Sequence, residues 1–439
     1  MYSFGDTALY LKNKILPEAF VKIIMVVSGL WFFGCYPVLI WPCWDQSPRS
    51  LHVGGVDFWQ YYTGGLVAHY RLWKDLYPTP NKEVYDKVPD FKPQIPTGFF
   101  DSRLQEARQG KWAFYPPVGY PYSSTVKPEL FNLCPQLRHT WHYIYPPPTA
   151  LLLWPLGFFD HETASHIWFA IICGSFFGTG CLASRIFRVL IGKPTYAEGW
   201  IMLLPIIPTL LGSGMTAVET GNVSPLLGFL ITTVVYSWIS NQQIIAGIGI
   251  IPLVLFKGIG LGWCPLFIIK PIKWKTIVTL ALLTLFINAV AFYYGGTDSY
   301  RTYFIEILPR SSIPLGYGLQ GRLLHFLGIE LKIDFFIANI LLSIVIYWAY
   351  WVRRDSVNFN RNKSVTIAAI AGILAIFCIC NPVIWPTYYT NYLLLPFAGW
   401  VLWEGFQAKM ASRAWIFTIF SLSALSWLDS ATRSTMMPC

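Results

Sequence analysis

The chain has 439 residues, of which 54% are apolar, 17% aromatic and only 12% charged. A typical soluble domain is about 25% charged, so this composition argues against an ordinary cytosolic enzyme, and the mean hydropathy of +0.47 agrees. At roughly 20 apolar residues per membrane helix, about ten helices would leave a comparable length for loops, which predicts an all-α polytopic membrane protein with substantial extramembrane parts. The net charge of +10 comes from scattered basic residues without a long Lys/Arg run. Basic loops facing an anionic leaflet account for it, and no nucleic-acid partner is implied.

In chain order, a polar N-terminal stretch with Lys12 and Lys14 leads into a first span near residues 23–41. It is too long for the core of a removable signal and lacks a small-residue cleavage site, so it reads as an anchor. Residues 43–146 follow without an apolar run of membrane length and form a first large loop rich in Pro, Tyr and Trp. Cys43 and Cys134 both fall in this loop and can pair if it faces an oxidising compartment. Near its start, Phe58, Tyr61, Tyr62, Gly65, Leu66 and His69 recur at close to helical spacing, which predicts an amphipathic helix at the interface. From residue 149 onward, spans are expected near 149–159, 164–187, 200–212, 223–239, 243–269, 276–294, 335–352, 365–381, 388–403 and 414–428. Several are short, and the run 243–269 is long and interrupted by Lys257 and glycines, so broken or re-entrant helices are expected. The resulting division is 1–42, an N-terminal segment and first span; 43–146, an extracytoplasmic loop; 147–294, a membrane bundle; 295–333, a second outer loop; and 334–439, a C-terminal bundle.

Orientation follows from the short basic loops. With the N-terminus inside, Lys270, Lys273 and Lys275, then Arg353, Arg354, Arg361 and Lys363, then Lys409 and Arg413 fall on the cytoplasmic side. Arg185, Arg188 and Lys193 oppose this pattern, which implies one miscounted crossing. Asn222 and Asn362, each in an Asn-x-Ser sequence, come out near cytoplasmic ends. Both outer loops then share the opposite face.

A few residues stand out chemically. Asp57 lies in Gly54-Gly55-Val56-Asp57-Phe58-Trp59-Gln60-Tyr61-Tyr62, a carboxylate at the membrane boundary among aromatic rings. It reads either as a general base or as an N-cap of the following helix. Tyr143-Ile144-Tyr145-Pro146-Pro147-Pro148 reads as a rigid extended lead-in to the next segment, with tyrosines able to anchor at the interface. Lys257, a cation within an apolar run, is a functional candidate unless it snorkels to the surface. Arg301, Arg310, Arg322 and His325 in the second outer loop can bind a phosphate. The stretch His161-Glu162-Thr163-Ala164-Ser165-His166 fails as a zinc motif because its histidines are five apart rather than four. No metal site, nucleotide loop or other cofactor site is expected.

The order of these features resembles a known family. Asp57 is followed by an aromatic helix and Leu76-Tyr77-Pro78; Tyr145-Pro146-Pro147 leads into Leu151–Leu156; Thr220-Gly221-Asn222 precedes an apolar run; Ala246-Gly247 comes before Lys257; and Asn381-Pro382-Val383-Ile384-Trp385-Pro386 closes the series. This arrangement is similar to glycosyltransferase family 87, the polyprenyl-phosphate-mannose-dependent mannosyltransferases. The resemblance implies a GT-C-like fold with about 10–11 membrane segments and a large first extracytoplasmic loop. It further implies inverting transfer of a sugar from a polyprenyl-phosphate donor to a lipid or glycan acceptor at the outer face of the plasma membrane. By the same resemblance Asp57 is the general base. Arg322, His325 and Lys257 are expected at the donor phosphate, and Phe58, Trp59, Tyr61, Tyr62 and Tyr145 around the substrate pocket. Thr387-Tyr388-Tyr389 stands where members often carry His, and Gly318-Leu319-Gln320-Gly321-Arg322 where an Asn-Gln-Ser run is commoner. A lipid or solute transporter and a structural envelope subunit are the rival readings, although no internal repeat of the kind many transporters show is visible.

Overall fold

The computed structural model describes residues 15–40, 56–73, 76–77, 143, 145–192, 194–210, 214, 217–218, 220–257, 266 and 273–307. Every regular element among them is helical. In chain order these are α1 (Leu16–Leu30), α2 (Val56–Tyr70), α3 (Pro147–Leu153), α4 (His161–Ile191), α5 (Tyr196–Met202), α6 (Ile206–Leu210), α7 (Ser224–Ile239), α8 (Gln243–Lys257) and α9 (Trp274–Thr302). Among the described residues, three continuous helical stretches are long and apolar enough to cross a membrane: Leu16–Ile40, His161–Leu190 and Trp274–Ile305.

Local chemistry explains the helix ends. Asp160 caps α4, accepting from the Thr163 amide at 3.0 Å and from the Thr163 hydroxyl at 2.8 Å, which satisfies an otherwise orphaned first-turn donor. At the other end Gly192 donates to the Arg188 carbonyl at 2.8 Å. Glu198 in the first turn of α5 reaches back to the Thr195 amide (2.9 Å) and pairs with Arg188 Nε at 2.7 Å, tying α5 to the end of α4. Pro146 is extended and is followed by Pro147 and Pro148 in the first turn of α3, where proline lacks only a donor that would be orphaned anyway.

Packing then sets the directions of the helices. The start of α1 lies on α5, with Phe20 against Tyr196 and Trp200, and the helical turn Trp31–Cys35 that continues it lies on α4, with Phe32 stacked on Phe176. Along its length the continuous stretch Leu16–Ile40 leaves Ile23, Val26, Leu30 and Leu39 exposed, as a lipid-facing surface does. α7 packs between α4 and α8, burying Leu227, Ile231, Val234, Val235 and Trp238. Thr149 ties α3 to the far part of α8 by donating to the Leu255 carbonyl at 2.9 Å.

α2 departs from the sequence-based expectation. Phe58, Trp59, Gln60, Tyr61 and Tyr62 are all buried, as are Gly64 through Ala68, so this helix is enclosed on nearly every side instead of burying one amphipathic face. The reason is a backbone-to-backbone approach. A Cβ added to Gly65 would lie 2.6 Å from the Leu153 carbonyl oxygen, and one added to Gly157 would collide with the Gly65 carbonyl. Small residues of this kind let helical segments approach closely, and here they seat α2 on the Trp154–Phe158 turn.

The stretch 149–159 holds the short helix α3 and the Trp154–Phe158 turn. Tyr145, just before it, packs on Tyr61, and His161, just after it, stacks on Trp59, so both its flanks lie against the first half of α2. α4 and α7 run away from α2, since Trp168 bonds the Gly221 carbonyl near both their starts. α8 and α9 run toward it: Gln243 accepts from the Lys273 amide at their shared start, while Phe256 and Tyr303 at their other ends touch Tyr61 and Tyr77. Arg185, Arg188, Lys273 and Lys275 therefore gather at the end opposite α2. Asn222 stands at the α2 end, not with those cations. α9 also continues past residue 295, kinking at Gly296 and docking on Trp73 through Ser299, whose hydroxyl donates to the Trp73 carbonyl at 3.2 Å.

Candidate active site

The region around Asp57 is built on a turn between residues 217 and 224. The Asn222 amide donates to the Ala217 carbonyl (2.7 Å) and the Gly221 amide to the Val218 carbonyl (2.9 Å), the pair of bonds that closes a helix in a Schellman motif. Gly221 supplies the left-handed residue it needs, with φ 67°. The closure turns the Thr220 carbonyl into the start of α2, where it accepts from the amides of Asp57 (2.8 Å) and Phe58 (3.2 Å). One helix end thus satisfies the orphan donors of another helix start.

The same turn delivers a side chain to the carboxylate. Asn222, buried to 2% exposure, donates from Nδ2 to Asp57 Oδ2 at 2.7 Å, across 165 residues of sequence. Its Oδ1 accepts from the Ser224 amide at 2.9 Å. Two further bonds brace the turn: Trp168 Nε1 donates to the Gly221 carbonyl at 2.7 Å, and the Val223 amide donates to the Tyr61 hydroxyl oxygen at 3.2 Å. Asp57 is half-buried and sits in the first turn of α2, where the helix dipole favours a negative charge.

Tyr61 and Tyr145 lie beside it. Their hydroxyls are 3.0 Å apart, Tyr77 donates to the Tyr145 carbonyl, and Phe256 packs on both rings at 6.1 and 5.7 Å between centroids. Burial, foremost, and then the neighbouring Tyr145 and Asp57 hold the Tyr61 phenol well above its ordinary pKa. Burial first and Asp57 second do the same for Tyr145, and burial raises Tyr77 and Tyr143. These phenols stay neutral hydrogen-bonding groups across the working pH range.

Two predictions arise from this cluster. Tyr61→Phe leaves the buried Val223 amide without its acceptor, so the folded state is expected to lose about 1–3 kcal/mol, read as a lowered midpoint of thermal unfolding in detergent. A raised phenol pKa in the folded state binds the proton more tightly than the unfolded chain does. The corresponding stability is fully present below the ordinary tyrosine pKa of about 10 and is lost as pH rises through the higher folded values. Unfolding midpoints measured from pH 7 to 11 are therefore expected to show no tyrosine-linked loss up to about 9 and to fall above 10; an unchanged midpoint across that upper interval would contradict the buried cluster.

Of the residues singled out in the sequence, Asp57, Tyr61 and Tyr145 come together. Phe58, Trp59 and Tyr62 are buried, each at most 3% exposed: Trp59 is stacked on His161 with 3.6 Å between centroids, and Tyr62 donates to the Phe159 carbonyl at 3.0 Å. They hold α2 against the start of α4, because an enclosed helix turns its aromatic residues into core. Lys257 ends α8, one residue after the Phe256 that touches Tyr61 and Tyr145. Arg322, His325, Arg310, Cys43 and Cys134 lie outside the described residues, while Arg301 is exposed on the last turn of α9. The sequence marks Asn222 through the motif Thr220-Gly221-Asn222 and through its Asn-x-Ser sequence, neither of which points to Asp57, and it does not mark Trp168. A Gly-Asn pair ahead of an apolar run signals a helix junction, but no local signal names its distant partner.

The turn, Tyr145 and Phe256 all lie between residues 143 and 382. The family model of glycosyltransferase family 87 matches residues 143–382, more than half of the chain. The chain belongs to glycosyltransferase family 87. No curated protein and no solved structure matches it. The protein is thus a membrane glycosyltransferase, which uses a sugar donor and an acceptor, and the transporter and structural-subunit readings give way. Asp57 precedes the matched region, and the fold joins it to that region through Asn222 and Thr220.

Proposed function

We propose that this family 87 enzyme transfers a sugar, with mannose the first candidate, from a polyprenyl-phosphate donor to a lipid or glycan acceptor at the extracytoplasmic face, with inversion, and that Asp57 is the general base. The observation that carries the reading is the half-buried Asp57 carboxylate, fixed at a helix start against a side chain of the family-matched region. In the step proposed, the acceptor hydroxyl oxygen bonds to the anomeric carbon while the bond from that carbon to the phosphate oxygen breaks. The polyprenyl phosphate leaves with the bonding electron pair, and the hydroxyl proton passes to Asp57. Cationic groups stabilise the departing phosphate; Lys257, Arg322 and His325 are the candidates. The lipid phosphate is its own leaving group, so no nucleotide loop is required.

The gathering of Arg185, Arg188, Lys273 and Lys275 at the end away from α2 supports placing that end in the cytoplasm and Asp57 on the outer side of the plasma membrane. The protein purified into nanodiscs is to be given radiolabelled polyprenyl-phosphate sugars, mannose among them, together with a lipid extract from its host. A labelled glycolipid whose new bond has the opposite anomeric configuration to the donor is the expected result. Consumption of a nucleotide sugar in place of every lipid-linked donor would overturn the donor assignment.

A further inference from the structure

We infer that Asn222 is a positioning residue for the Asp57 carboxylate, an inference that rests on the general-base reading of Asp57. An asparagine amide can in general turn over and present either oxygen or nitrogen. Here the turn removes that freedom. Oδ1 accepts from the Ser224 amide at 2.9 Å, which leaves Nδ2 facing Asp57 Oδ2 at 2.7 Å. The backbone beneath is held from three directions: by the Schellman closure onto Ala217 and Val218, by the Trp168 indole on Gly221, and by the Tyr61 hydroxyl on Val223. The Asp57 backbone is tied to the same turn through the Thr220 carbonyl, so carboxylate and amide are anchored to one frame and their relative placement is set by the fold. Asn222 is almost wholly buried, and water cannot readily replace its donor.

A group placed this way acts on the geometry of proton removal and not on donor binding. Misplacement of a reacting group by about 1 Å can cost on the order of 10²-fold in rate. The two functions of Asn222, starting α7 and holding Asp57, separate by substitution. Asn222→Asp keeps an oxygen for the Ser224 amide and nearly the same volume, but removes the donor toward Asp57. Asn222→Ala removes both without adding charge. If Asn222 positions Asp57, kcat for glycosyl transfer falls about 10²-fold in both variants when expressed per folded molecule, with KM for the donor within about threefold of wild type; both variants lose thermal stability, the aspartate through repulsion between two neighbouring carboxylates and the alanine through the lost acceptor of the Ser224 amide.

Purely structural use of Asn222 gives a different pattern: the alanine variant loses stability but keeps its kcat per folded molecule. Wild-type kcat in Asn222→Ala so expressed overturns the inference, as does a loss confined to KM. The Asp57→Asn variant measured alongside separates the two claims. An inactive Asp57→Asn with an unimpaired Asn222→Ala removes only the role of Asn222, whereas a fully active Asp57→Asn removes the base reading and this inference with it.

Discussion

Gly157→Val is expected to cost at least about 3 kcal/mol of stability, the upper part of the range for overpacked sites. A Cβ at residue 157 would press into the Gly65 carbonyl group and come within 2.7 Å of the His69 Cβ; one at residue 65 would lie 3.1 Å from the Gly157 amide nitrogen. Both obstacles include backbone, so rotation of a neighbouring side chain cannot relieve them, and α2 must lift off the turn that supports it. Lifting α2 separates the Asp57 amide from Thr220 and its carboxylate from Asn222. Stability and transferase activity are therefore expected to fall together. Thermal unfolding and size-exclusion profiles in detergent check this; a monodisperse Gly157→Val protein with a wild-type midpoint would show that the close approach is not needed.

Asp57→Asn is expected to separate those two quantities. Asparagine has the same shape, and its Oδ1 can still accept from Asn222 Nδ2, so the junction between α2 and the 217–224 turn survives. What disappears is the carboxylate that takes the proton. Loss of a general base costs typically 10²–10⁴-fold in rate, and that range is expected in kcat, with the unfolding midpoint close to wild type. Asp57→Glu keeps the carboxylate but pushes it outward by one methylene, so an intermediate loss follows from misplacement alone. Initial rates beside unfolding midpoints for the two variants give the comparison.

Periodicity and hydropathy are local properties, and what they control was readable. The apolar runs near 164–187, 223–239 and 276–294 contain the cores of α4, α7 and α9, because apolar length is what a membrane helix needs. Tyr145-Pro146-Pro147 was readable as a stiff lead-in, since proline confines its own backbone wherever it occurs. Features that depend on distant contacts were not. The pairing of Asp57 with Asn222 is made by a Schellman turn between elements far apart in sequence, and each residue alone is an ordinary polar side chain. The aromatic spacing of α2 suggested an amphipathic face, because a sequence does not reveal that Gly65 meets Gly157 and closes the remaining side. The stretch 149–159 has the hydropathy of a short span, and nothing local in it shows that its flanks are both held by α2 through Tyr61 and Trp59.

The most direct measurement is single-turnover transfer in nanodiscs, comparing wild type with Asp57→Asn after both have been loaded to the same occupancy with a radiolabelled polyprenyl-phosphate sugar. Equal loading removes donor affinity from the comparison, so the rate of label appearing in glycolipid reports the chemical step. The account predicts rapid formation of an inverted product by wild type and retention of the loaded donor by Asp57→Asn, with product appearing about 10²–10⁴-fold more slowly. Product formation by Asp57→Asn at a rate near that of wild type would contradict it.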